Sequence, residues 1–134
     1  MRAVLDPNVV ISGLLSPDGS PAQVLRAFED GQFELVVSGA LLSELERALA
    51  YPKLRARIPA DDAAAAVLWL SEAATVVHDA PEEPPIRSED PGDDYLIVLA
   101  ATQRAALVSG DKHLLELAGR IPVLSPREFV DALP

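Results

Sequence analysis

The strongest constraint on this fold is an alternation. Short apolar runs, RAVL at Arg2–Leu5, FELVV from Phe33, TVVH from Thr75, ALV at Ala106–Val108 and IPVL from Ile121, are separated by segments with helical spacing. Runs so short and so continuously apolar belong to strands covered on both faces, which is what helical crossovers impose on a parallel sheet. The expected class is therefore α/β, a three-layer α/β/α sandwich around a mostly parallel, about five-stranded sheet. The 134 residues suffice for a single domain over 1–134 with its own core.

The helical segments carry their own punctuation. SPAQVLRAFEDG has Ser20 in the N-cap position, Pro21 at the first turn and Gly31 past the end. Ser38 is placed to cap SGALLSELERALAY, whose Leu41, Leu42, Leu45 and Leu49 share a face. NVVISGLL, ADDAAAAVLWLSEAA, DDYLIVLAATQR and DKHLLELAG read as further helices, and Ser125, Pro126 and Glu128 spell a capping box before FVDAL. Between Asp79 and Gly92 four prolines mark a polar surface loop.

Composition narrows the chemistry. There is no cysteine, so thiolate metal sites and cysteine nucleophiles are excluded and a reducing compartment is compatible. Only His78 and His113 offer imidazole, leaving carboxylates as the main candidate metal ligands, and oxygen donors suit magnesium or manganese. Asp6 interrupts the N-terminus before a signal-peptide apolar region forms, and AAAAVLWL is too short for a membrane span, so a soluble cytoplasmic protein is expected. The net charge of −10 argues against nucleic-acid binding over the whole surface. One strip runs the other way: Arg47, Lys53, Arg55 and Arg57 lie in a stretch without an acid, a solvated face or a local contact for a polyanion or partner.

The acids are unevenly placed. Asp90, Asp93 and Asp94 crowd the start of one apolar helix, more than capping needs. Asp6 follows the first strand and Asp111 the fourth, which puts both at the carboxyl rim of the sheet, where α/β proteins gather their sites. On the leucine helix Glu44 lies roughly 115° and Glu46 roughly 85° from the middle of the stripe at about 100° per residue, so spacing does not choose between them. Converging carboxylates repel and raise one another's pKa unless a cation neutralises them. Carboxylate-held divalent ions activate water against phosphodiesters, which makes metal-assisted phosphodiester hydrolysis the natural chemistry.

VLDPNVVISGLL, SGALLSELERALAYPKL, EDPGDDYLIVLAA, LVSGDKHLLEL and VLSPREFV, in that order, resemble the PIN-domain family, and within it the VapC-like toxins of toxin–antitoxin systems. The resemblance spans essentially the whole chain. It implies a magnesium- or manganese-dependent ribonuclease with Asp6, Glu44, Asp94 and Asp111 as catalytic and metal-binding acids. Asp93 is a further metal candidate, and Asn8, Ser109 and Asp90 are supporting residues. It also implies an RNA substrate, a small antitoxin laid across the groove and a possible homodimer. Two positions depart from the family pattern, Pro7 where a hydroxyl residue usually follows the first aspartate, and His113 where a further aspartate often stands. Pro7 supports an alternative, a catalytically impaired module of the same fold that acts by binding RNA or an antitoxin.

Overall fold

The computed structural model describes residues Met1–Pro134. Five parallel strands, β1 (Arg2–Leu5), β2 (Glu34–Ser38), β3 (Thr75–Val77), β4 (Ala106–Val108) and β5 (Val123–Leu124), form one sheet in the order β3-β2-β1-β4-β5. The register sets Leu5 beside Val108 and Ala3 beside Leu35. The central residues Ala3, Val4, Leu5, Val36, Leu107 and Val108 are almost wholly buried, as a covered parallel sheet requires.

Seven helices connect the strands, α1 (Pro7–Leu15), α2 (Ser20–Glu29), α3 (Gly39–Leu49), α4 (Pro52–Arg55), α5 (Ala60–Ala73), α6 (Asp94–Thr102) and α7 (Lys112–Leu115), and α8 (Pro126–Ala132) follows β5. A 3₁₀ turn, Pro91–Asp93, leads into α6. From β1 the chain steps outward to β2 and β3, then returns across the sheet to β4 and β5. Right-handed crossovers therefore put α1 to α5 on one face and α6 and α7 on the other. The packing agrees, since α1 touches α2 and α3 while α6 lies on β1 and β4. The reversal of strand order falls between β1 and β4, and that junction opens a crevice at the carboxyl edge.

Local signals explain most boundaries. Ser38 accepts the Leu41 N–H to start α3, and Leu41, Leu45 and Leu49 bury the stripe beneath it. Ser125 and Glu128 complete the reciprocal capping box of α8. Ser20 does not cap α2, contrary to its pattern. It is the first helical residue, Gly19 is the cap without a side-chain bond, and Pro21 occupies the second position. Proline has no N–H to offer, so one step into the helix costs nothing, because the first-turn donors lack partners anyway.

At Gly13 a Cβ would stand 2.6 Å from Leu25 Cδ1 and 3.1 Å from the Pro21 carbonyl, so α1 and α2 approach as closely as they do because that residue has no side chain. The aromatic residues close the core's far side. Phe129 of α8, fully buried, packs edge-on against Phe33 with ring centres 4.8 Å apart, and Phe28 meets both Phe33 and Trp69. Phe129→Ala is expected to lower the unfolding free energy by about 3–5 kcal/mol, read from the urea midpoint. A loss below about 1 kcal/mol would mean that α8 is peripheral to the core.

Candidate active site

Asp6 is the residue around which the crevice is built. It ends β1, and its own N–H donates to the Val108 carbonyl at 2.9 Å, tying it to β4. Its Oδ1 accepts the Asn8 N–H at 3.0 Å, which makes it the cap of α1. Its Oδ2 accepts the Ser109 hydroxyl at 2.8 Å, and Ser109 Oγ in turn accepts the Asp111 N–H at 2.9 Å. Ser109 is fully buried and links the first acid to the backbone of the last. Pro7, the departure from the hydroxyl pattern, is buried at the first turn of α1, where its missing N–H is an orphan donor in any residue.

A cavity of about 260 Å³ opens here, lined by Asp6, Asn8, Glu44, Asp90, Asp93 and Tyr95, with Arg47 at its side. The structure separates the two acids that helical spacing leaves equivalent. Glu44 is half-buried on this cavity and pairs with Arg47 at 3.1 Å, whereas Glu46 is exposed and faces an apolar hollow with Leu42 and Arg55. Asp111 caps α7 through the His113 N–H at 2.7 Å and faces an adjoining hollow, with Asn8 common to both.

Asp93 and Asp94, both metal candidates from the sequence, point in different directions. Asp94 Oδ1 accepts the Ser88 N–H at 3.0 Å and its Oδ2 pairs with Arg87 at 3.1 Å, so both oxygens hold the proline-rich loop. Asp94 does not line the cavity; Asp93 does, with a buried Oδ2 that has no partner. The reason is rotation, because one residue turns a side chain about 100° around the axis. Asp90 accepts the Gly92 N–H at 2.9 Å, fixing the 3₁₀ turn.

The electrostatics follow from burial among like charges. Burial pushes the Asp93 carboxyl up to about 6, with the charges of Asp6, Asp90, Asp111 and Asp94 adding to it. Burial raises Asp6 as well, Asp111 and Glu44 reinforce the rise, and the bonds from Asn8 and Ser109 oppose it. Tyr95, which carries no spacing signal, places a hydroxyl without a partner in the same field, and burial followed by Glu44 and Asp6 drives its phenol far above the usual range. Of the basic strip, Arg47 alone reaches the cavity. Lys53 and Arg55 lie on α4 with Arg57 just beyond, none of them paired with a carboxylate.

A PIN domain family model matches residues 2–113. An uncharacterized protein of Methanocaldococcus jannaschii is 25% identical over 142 residues, an alignment that covers 98% of this chain and 90% of that protein. The crystal structure of VapBC2 from Rickettsia felis bound to a DNA fragment from their promoter is similar in fold, with a TM-score of 0.62 at 13% identity over 93% of this chain and 98% of that one.

A carboxyl whose pKa is higher in the fold than in the unfolded chain binds its proton more tightly when folded. Between about pH 4, the ordinary aspartate value, and about 6 for Asp93, the native state therefore loses stability as pH rises. Asp93→Asn is expected to unfold like the parent near pH 4 and to be more stable above pH 7. The gain should be on the order of 1 kcal/mol once solvent screening is allowed for. Urea midpoints in chelator-treated buffer measure it, and a parent–variant difference independent of pH would contradict the shift.

Proposed function

Because the chain belongs to the PIN-domain family, which matches it over residues 2–113, we propose that it is a magnesium- or manganese-dependent endoribonuclease, the toxin of a toxin–antitoxin pair. The observation that carries this reading is the buried, unpartnered Asp93 Oδ2 on a cavity shared with Asp6 and Glu44. Four carboxylates, those of Asp6, Glu44, Asp90 and Asp93, line that cavity and only Arg47 offsets them, which fits a divalent cation bound by oxygen donors. In this reading Asp6, Glu44, Asp93 and Asp111 hold the metal. Asp94 is a positioning residue that keeps the loop against the start of α6.

When bound, the ion would lower the pKa of a water and stabilise charge developing on the phosphodiester. The protein supplies orientation. Asn8 N–H and the Ser109 hydroxyl fix both oxygens of Asp6, so its geometry is set before any substrate arrives. Ser109 also sets the position of Asp111 through its backbone. Arg47, exposed at the side of the cavity, is placed to meet the phosphate backbone, with Lys53, Arg55 and Arg57 as more distant contacts for RNA or partner.

The wider assignment rests on the resemblance to VapC-like toxins, and the similarity in fold to VapBC2 supports it. It comprises one PIN-like domain over 1–134, a cytoplasmic location, a small antitoxin across the groove and a homodimer. No helix is long and apolar enough to cross a membrane. With Pro7 accommodated at the first turn of α1, the departure that favoured an impaired binding module has a structural explanation that leaves the acids in place.

Cleavage of RNA should require magnesium or manganese and stop in EDTA. Asp6→Asn and Asp93→Asn should each reduce the rate at least ~100-fold, and Asp94→Asn about 10-fold, the scale of losing an outer supporting contact. Cleavage that survives EDTA or Asp6→Asn would overturn the nuclease reading. A loss larger in Asp94→Asn than in Asp93→Asn would return the ligand role to Asp94.

A further inference from the structure

The loop between Asp79 and Asp90 is fastened at its ends. Asp79 accepts the Ala40 N–H at 2.9 Å, and Ser88 and Arg87 grip Asp94. One more contact leaves it, Glu89 Oε2 paired with His113 Nδ1 at 3.0 Å, and this is its sole hydrogen bond or ion pair with α7. His113 and Glu116 stand three apart, which in a helical turn puts both side chains on one face. Glu89, His113 and Glu116 bring their ligand atoms within 4.8 Å of one another. The acids of the crevice form no group as tight as this one.

We propose that Glu89, His113 and Glu116 form a second cation site, for a first-row dication of the zinc class, that staples the 79–92 loop to α7 beside the crevice. The donor set makes the choice of metal. An imidazole with two carboxylates suits zinc, cobalt or manganese, whereas calcium and magnesium prefer oxygen alone. All three side chains are solvent-accessible, so the metal has an open path and water completes its coordination. Lys112 offers little competition, its ammonium lying 3.9 Å from Glu116. The consequence is mechanical, because Glu89 sits between Ser88, which holds Asp94, and Asp90, which lines the acid cavity. Fixing Glu89 fixes both neighbours. None of its three residues lines that cavity, and its one bond to the acids assigned there is from the His113 backbone N–H to Asp111, which a change of the imidazole leaves in place.

The test uses the full chain carrying Asp6→Asn and Asp93→Asn, which removes two of the four acids assigned to the crevice metal. Zinc chloride titrated by calorimetry should bind with one equivalent, and adding His113→Ala should weaken that binding at least ~10-fold. Tryptic cleavage after Arg87 should slow several-fold in zinc, relative to cleavage after Arg57 in the same chain, with no effect from magnesium at the same concentration. Absence of zinc binding in the double variant, or equal affinity with His113→Ala, would overturn the site. Zinc binding that leaves the rate at Arg87 unchanged would overturn the staple. RNA cleavage is not among these readouts, so they stand or fall separately from the ribonuclease proposal.

Discussion

One hydroxyl governs the arrangement of the acids. Ser109 lies where the strand order reverses, donates to Asp6 on the neighbouring strand and receives the N–H of Asp111 on its own side. The Ser109 hydroxyl is fully buried, so Asp6 cannot drift from it without leaving a polar atom unsatisfied, and the second bond holds the backbone of Asp111 to the same oxygen. Two acids more than a hundred residues apart in sequence are thus positioned by the sheet register, because β1 and β4 are adjacent and end level at Leu5 and Val108. The same hydroxyl offsets part of the cost of burying the Asp6 carboxylate.

The crevice is assembled against local stability. Burial and mutual repulsion raise both Asp6 and Asp93, and Asp93 keeps an oxygen that nothing in the protein satisfies. The surrounding core carries the burden: α3, α6 and the central strands contribute fully buried leucines and an isoleucine. Locally unfavourable electrostatics at one point of an otherwise consistent fold is how functional sites are commonly recognised.

The strands and most helices were legible because each is signalled within a few residues. RAVL, FELVV and ALV are short and apolar throughout, Ser38 and Ser125 stand directly before their helices, and Asp6 and Asp111 fall at strand ends whose place in the sheet follows from the alternation. What stayed hidden depends on rotation or on distant contacts. Glu44 and Glu46 are nearly equivalent by spacing and are separated by which neighbours α3 meets. Asp93 and Asp94 are adjacent in sequence, and the direction of each follows from a 3₁₀ turn that the DPGDD string does not reveal. Arg87, the partner of Asp94, lies in a loop whose path no periodicity specifies. Ser20 failed as a cap for a subtler reason, since glycine and serine both serve there and the helix starts one residue early.

The last strand bears on the order in which the molecule comes together. Ser109 N–H donates to the Leu124 carbonyl, so the residue that steadies Asp6 is itself held by β5, the last strand of the sheet to be made. Chains emerge from the ribosome amino end first. Asp6, Glu44 and Asp93 are therefore all synthesised before β5 exists to lock Ser109, and Phe129 joins the aromatic cluster later still. Assembly of the acid pocket thereby waits for β5, and a nascent chain stalled before Leu124 carries the acids without the frame that aligns them.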